Sequence, residues 1–422
     1  MAANLKCILL YRVPSTVTLH PSLWITVFCL FIAIILQNRS FIIGYTVAVI
    51  FIIVTQLNTG RRRIITLIIT AIILAVATAI VFKSDSTLGR VLIYKISFNI
   101  LYDHFPRGIG WSQFGVRYGE YQIEYFKSGL NSGKELLLAD NTTSAFNDYL
   151  QFVIELGILG LLILYGGFWI VINSISTAIK RNSRIPHVLS VAIAQLIAIS
   201  TAAFFTHIFE HSVYLLPFII SLTIIFKYAY FKKVGYFMWI IFFLLTCCVM
   251  FVKNLNYVSN FKSYDRLEEA RESLKAGYLK EAVTIYKELY TNLKFDVEYL
   301  NEYAGLLAAL DSNTHAEIVA ERLVSINNSN IFYQSLGDIY FKNGKMEKAN
   351  NAYLNGVYRV PNRFGTRYSL FKFYLKIKKI NEAIVVGHQI LQLPVKVPSD
   401  TVDRIILQTR ETLRFLDKSD ES

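Results

Sequence analysis

The stretch "NTTSAFNDYLQFVIELGILG" at 141–160 sets polar and ionisable groups on what reads as one apolar helix: Asn147, Asp148, Gln151 and Glu155. Asn147, Gln151 and Glu155 stand four apart and share one side of that helix, with Asp148 on the adjoining edge. A charged side chain at the centre of a membrane helix costs about 2.5–3.5 kcal/mol on insertion scales, so such a residue normally faces a polar cavity or a partner. We read this helix as one wall of an outward-facing polar cavity lined by Asn147, Gln151 and Glu155. The plainer alternative is a structural hydrogen bond between helices, shielded by close packing at Gly157 and Gly160.

Other groups suited to chemistry gather at the same side by topology. Arg39 sits in "LQNRSFIIG". Arg90, His104, Arg107, Gly108 and Gly110 lie in "TLGRVLIYKISFNILYDHFPRGIGWSQFG", and His207, Glu210 and His211 in "THIFEHS". Histidine is the side chain whose charge changes near neutral pH, which suits it to proton transfer. Each group also has an ordinary explanation. An arginine at a helix end commonly snorkels to the interface. Gly108 and Gly110 fit a tight turn better than a phosphate cradle, because no strand precedes them and the Walker spacing is absent.

These groups must be positioned by apolar helices. Of 422 residues, 54% are hydrophobic and 17% charged, and the mean hydropathy is +0.41. Soluble domains average about 45–50% apolar and about 25% charged, so the composition indicates a membrane protein. Runs near the roughly 20 residues a bilayer demands occur at 22–37, 41–57, 64–82, 149–173, 187–206, 212–230 and 235–252. The predicted fold is all-α: a bundle of about seven spans over 1–252, with a long outer loop at 83–148, followed by a water-soluble part at 253–422. Residues 1–252 hold nineteen basic and nine acidic side chains, and 253–422 hold twenty-four and twenty-one.

With the N-terminus cytoplasmic, Lys6, Arg12, Arg61, Arg62, Arg63, Lys180, Arg181, Arg184, Lys227, Lys232 and Lys233 all fall on the cytoplasmic side, with no acidic residue beside them. That is the positive-inside pattern. It sends the long loop and 253–422 to a periplasm-like space, as for a multi-pass protein of a bacterial inner membrane. It also accounts for the net charge of +13 without a nucleic-acid partner. The four cysteines, Cys7, Cys29, Cys247 and Cys248, lie in or before spans, so the exported regions have no disulfide framework. No Cys/His group has zinc spacing.

The soluble part repeats. In "IFYQSLGDIYFKNGKMEKANNAYLNGVYRVPNR" the residues Tyr333, Leu336, Gly337, Tyr340, Ala349, Tyr353, Gly356 and Pro361 follow the tetratricopeptide pattern. Its alanine recurs in phase at Ala282, Ala316, Ala349 and Ala383. Residues 262–416 therefore read as about four helix pairs in an α-solenoid, a binding surface suited to a protein partner.

Taken in order, these residues resemble the O-antigen ligase and O-antigen polymerase family of membrane glycosyltransferases. The likeness is carried by Asn38-Arg39-Ser40 at the start of a span and by Gly89-Arg90 with Tyr94. A "DHxxxGxGxxxF" segment follows, from Asp103-His104 through Gly108 and Gly110 to Phe114. Last comes an "NxYLxxxxExGxxG" helix carrying Asn147, Tyr149, Leu150, Glu155, Gly157 and Gly160. It covers about 30–175. The histidine of the family's last motif is Phe146 here, and family members usually have more spans than seven, which would precede residue 22.

The resemblance implies transfer of a glycan from an undecaprenyl diphosphate carrier to an acceptor such as lipid A core. Polymerisation of repeat units and transfer to protein hydroxyls are close alternatives, and a non-catalytic anchored scaffold or truncated family member is an alternative of another class. A departing lipid diphosphate needs cations nearby. Arg39 and Arg90 fit that role, since guanidinium forks match phosphate oxygens in pairs, and neither a metal nor a cofactor is expected. The base for the acceptor hydroxyl would be His207, His211, His104 or Asp148, in that order.

Overall fold

A computed structural model describes residues 21–36, 38–56, 84–129, 131–182, 185–230 and 260–420. The spans read at 64–82 and 235–252 lie outside them. The described residues form helices and connections, and they pack as two units. The first takes the described residues up to Arg90, with Leu101–Ser112 and those from Ser144 to 230. The second takes Val91–Ile100, Gln113–Thr143 and those from 260 onward.

In the first unit, α1 (Pro21–Ile35) opens on a proline, whose missing N–H is no loss in a first helical turn. Next comes α2 (Arg39–Gln56), where the Asn38 side chain accepts from the N–H of Phe41 at 3.4 Å. Helix α3 (Ser84–His104) runs from the first unit into the second and back. After segment 113–143 come α6 (Asp148–Leu156), α7 (Ile158–Arg181), α8 (His187–Ala202) and α9 (Ser212–Ala229). Gly44 lies on the backbone of Ala198, leaving no space there for a Cβ. Ala48, Ala194 and Ala198 are buried around it, so small residues let α2 and α8 approach closely.

Helix α7 has 24 residues, a span of roughly 36 Å at about 1.5 Å per residue, enough for a hydrocarbon layer of about 30 Å. Most of it is exposed, with Leu159, Leu162, Ile163, Tyr165 and Trp169 all more than half accessible. It is the one helix among the described residues that is long and apolar enough to cross a membrane. Pro21–Ile35, Arg39–Ile53, His187–Ala202 and Val213–Ala229 are shorter apolar helices.

The span expected at 149–173 is not one helix. Gly157 breaks it, with φ 61° and ψ −134°, a backbone conformation that a side chain disfavours. The apolar helix therefore runs over 158–181, and Gln151 and Glu155 belong to the short α6 before the break.

In the second unit, α4 (Phe114–Lys127) and α5 (Gly133–Leu138) interrupt the stretch 83–148 that reads from sequence as a loop. Four helix pairs follow: α10 (Phe261–Lys275) with α11 (Leu279–Leu293), α12 (Val297–Ala309) with α13 (Asn313–Ile326), α14 (Asn330–Lys342) with α15 (Met346–Arg359), and α16 (Phe364–Lys376) with α17 (Ile380–Gln392). Helix α18 (Asp400–Asp420) ends the array. Ala282, Ala316, Ala349 and Ala383 are each fully buried in the second helix of a pair. The turn within each pair uses one left-handed residue: Gly277, Asp311, Gly344 and Lys378. These four keep the same period as the alanines, although two of them are not glycine.

Candidate active site

The break at Gly157 is filled by the turn after α3. Ile109 N–H donates to the Ile154 carbonyl at 3.1 Å and Gly110 N–H to that of Glu155 at 3.0 Å, while Ile158 N–H donates to the Pro106 carbonyl at 2.9 Å. The turn thus satisfies carbonyls at the end of α6 and an N–H at the start of α7, groups a helix terminus leaves unpaired. A Cβ on Gly157 would fall on the Pro106 carbonyl, and one on Gly108 would fall on the Glu155 carbonyl. Both glycines have positive φ. The turn reading of Gly108 and Gly110 describes this arrangement.

Glu155 is 4% exposed. Its carboxylate accepts from Ser112 N–H at 2.9 Å and from Gln151 Nε2 at 3.2 Å. Gln151 also accepts from Ala145 N–H at 3.1 Å and donates to Glu210 at 3.3 Å. Asn147 caps α6, its Oδ1 accepting from Leu150 N–H at 3.0 Å. Asp148 Oδ2 accepts from the N–H groups of Ile208 and Phe209 at 2.7 and 3.2 Å, and its own N–H donates to the Ala203 carbonyl at 3.0 Å. These four residues therefore tie the connections around α6 together.

A cavity among the described residues of this unit lies elsewhere. It has a volume of about 330 Å³ and is lined from α2 by Asn38 and Phe41, and from the 206–214 region by Thr206, His207, Ile208, His211, Val213 and Tyr214. Asn147, Gln151 and Glu155, expected as its walls, do not line it. Asp148 and Gln151 instead hydrogen-bond the turn that carries Ile208, Phe209 and Glu210.

The side chains at the cavity form a continuous series of ring contacts. Arg90 Cζ lies 6.0 Å from the Phe146 ring centroid. Phe146 meets His207 edge to face at 5.5 Å and 84°. His207 and His211 are 5.4 Å apart, His211 meets Tyr214 at 6.2 Å, and Tyr214 packs on Phe41 at 4.8 Å. Arg39 opens the helix that carries Phe41 and follows the cavity residue Asn38. The series thus begins at Arg90 and ends two residues from Arg39. Ser144 Oγ lies 3.3 Å from His207 Nδ1, which fixes the ring through one nitrogen.

Of the residues expected to do chemistry, His207 and His211 line the cavity, and Arg39 and Arg90 flank the ring series. His104 ends α3, where its carbonyl accepts from Gly108 N–H at 2.9 Å, and it does not line the cavity. Sequence reasoning missed Ser144 and Tyr214, and it named Asn38 only as part of a motif. Asn38 directly before a helix was a legible capping signal, and Tyr214 stands three residues after His211, whereas the Ser144–His207 pairing spans 63 residues. Phe146, noted only as a substituted histidine, has φ 51°, a conformation in which histidine is several-fold enriched among side chains.

No curated protein matches the chain. Among solved structures, it is similar to the crystal structure of MamA protein, with 16% identity over 30% of this chain and 70% of that one and a TM-score of 0.28. It is also similar to the MamA RS-1 ArsTM double mutant, with 14% identity over 42% of this chain and 84% of that one and a TM-score of 0.29. The stretch from residue 24 to 165, which takes in Arg39, Arg90, Gly108, Phe146, Glu155 and Gly157, matches the family model described as O-Antigen ligase.

Proposed function

We propose that this protein is a membrane glycosyltransferase that moves a polysaccharide from an undecaprenyl diphosphate carrier to an acceptor such as lipid A core. The observation that carries this is the edge-to-face pair of Phe146 and His207 beside Arg90. The histidine missing from the family motif at 146 has a substitute in the adjoining ring. The family match over 24–165 supports the donor class.

In this reading the acceptor hydroxyl attacks the anomeric carbon and its proton passes to His207. With Nδ1–H donating to the Ser144 hydroxyl, Nε2 is left to accept that proton. The bond between the anomeric carbon and the diphosphate oxygen breaks, and the departing lipid diphosphate takes the electron pair. Its negative charge is met by Arg39 and Arg90, preorganised cations where charge develops. His211 stands in reserve beside His207. Asp148 is a positioning residue through its hold on Ile208 and Phe209. The exposed apolar surface of Ile158–Arg181 supports a membrane setting. We assign it to a bacterial inner membrane, with 83–148 and the repeats on the periplasmic side.

A deletion strain complemented with wild-type protein or with Arg39→Ala, Arg90→Ala or His207→Ala tests this, read on surface glycans. Unattached full-length polymer in the deletion strain and in all three variants is the expected result. Single repeat units in place of polymer would identify a polymerase instead, and loss of glycan from protein would identify a protein glycosyltransferase. Unchanged glycans in the deletion strain, or full complementation by both arginine variants, would overturn the enzymatic reading in favour of a scaffold.

A further inference from the structure

Segment 113–143 packs within the same unit as the repeats, and the repeats grip its backbone. Arg359, the last residue of α15, is 2% exposed. A buried guanidinium is tolerated where its N–H groups are all engaged. Here Nε donates to the Asn328 carbonyl at 3.2 Å, and the two terminal nitrogens donate to the carbonyls of Asp140 and Thr142, each at 3.1 Å. The Tyr118 ring of α4 lies 5.9 Å from the guanidinium carbon and is itself fully buried. Burial pulls the Arg359 pKa down to about 10, partly opposed by Tyr118, Tyr333 and Asp140, so the group keeps its charge at neutral pH.

Three asparagines repeat the theme. Asn362 Nδ2 points at the carbonyls of Leu136, Leu137 and Ala139, at 3.2, 2.9 and 2.7 Å. Asn328 donates to the Val116 carbonyl at 2.7 Å above Gly119, where a Cβ would collide with it. Asn330 and Asn141 exchange two hydrogen bonds, at 2.6 and 3.2 Å. Most of the acceptors are main-chain carbonyls, so the repeats read the course of this backbone, as a peptide-binding array reads a ligand.

We propose that the repeats hold segment 113–143 as an intramolecular ligand, with Arg359 as a positioning residue for the glycosyl transfer proposed above. The segment follows Ser112, whose N–H binds Glu155, and precedes Ser144, whose hydroxyl meets His207. Fixing the segment constrains both anchor points through the chain itself. The ligand of the repeats is then the protein's own backbone rather than a recruited partner. The inference rests on the transferase reading for its catalytic part only.

The test uses the full-length protein in membranes. In Asn141→Cys/Asn330→Cys, whose side chains touch, mild oxidation should give an intramolecular disulfide cross-link seen as a mobility shift, with neither single variant shifting. No cross-link in the double variant would overturn the grip whatever the enzyme does. Arg359→Ala should lower transfer at least tenfold, Arg359→Lys nearly as much, and cross-linking 141 to 330 in the Arg359→Ala background should restore it to within threefold of wild type. A merely structural loss would not be rescued by that link, and lack of rescue would overturn the positioning role. Wild-type transfer in Arg359→Ala would do the same while leaving the proposed activity intact. An inactive wild type would sink the transferase reading alone, because cross-link yield still reports the grip.

Discussion

Gly108 and Gly157 meet backbone to backbone, each occupying space that a side chain on the other would need. One ends a turn after α3 and the other separates α6 from α7. Their meeting converts a break in an apolar helix into a hydrogen-bonded joint, and it places Glu155 beneath Ser112.

Gly157→Ala is expected to destabilise the protein by more than about 2 kcal/mol, because it adds left-handed strain to a collision with the Pro106 carbonyl. Gly166→Ala within α7 has open space around it and should be neutral or stabilising, by about 0.5–1 kcal/mol. Thermal survival of the monodisperse peak in detergent size-exclusion chromatography measures both.

Glu155 has the role of an acceptor for Ser112 N–H, so Glu155→Gln should retain most activity. Glu155→Ala removes the acceptor of that part-buried N–H, at a cost of about 0.5–1.5 kcal/mol. Equal and complete loss of transfer in both variants, with folding intact, would instead assign the carboxylate to chemistry.

If His207 replaces the motif histidine, returning a histidine to position 146 should compensate for its removal. Phe146→His in a His207→Ala background should recover at least tenfold of the lost transfer, since the two rings are neighbours and the φ of 51° at 146 suits histidine. A double variant no better than His207→Ala would assign the base elsewhere. Glycan yield per cell at matched expression is the readout.

Glu135 supplies a pH dependence outside the spans. Burial alone would raise its pKa, but hydrogen bonds from the Ser132 backbone, Tyr125, Lys95 and the Ser132 hydroxyl lower it to about 2. A depressed carboxylate stabilises the fold fully above its unfolded pKa of about 4.3, and that contribution fades as pH falls through the folded value. Pepsin cleavage around α5 should therefore rise between pH 4 and pH 2 in the wild type. Glu135→Gln should be cleaved readily already at pH 4, with little further change below.

Lys378 holds a left-handed conformation at the turn between α16 and α17, where its counterparts Gly277 and Gly344 are glycines. Lys378→Gly is expected to stabilise the array by about 0.5–1 kcal/mol, removing backbone strain at some entropic cost. Thermal melting of the full-length protein in detergent, compared with wild type, checks it.

What was legible in the sequence was local. The in-phase alanines at 282, 316, 349 and 383 are all fully buried, because a solenoid repeats its close contacts at a fixed chain interval. The helix break was not legible, since "ELGILGLLILYGG" is apolar on both sides of Gly157 and composition carries no record of φ. Nor was the lining of the cavity between Asn38, His207 and Tyr214. Asn147 and Glu155 look like cavity residues by helical spacing, yet each accepts from a backbone N–H, Leu150 and Ser112, that any residue supplies. The grip of Arg359 was hidden for the same reason, as its acceptors are carbonyls more than two hundred positions away.

That grip constrains how the chain could thread a bilayer. Two stretches that touch share one aqueous compartment, so reporters fused near 130 and after 420 must give the same sidedness. Any membrane crossings between Thr143 and Asn260 are then even in number.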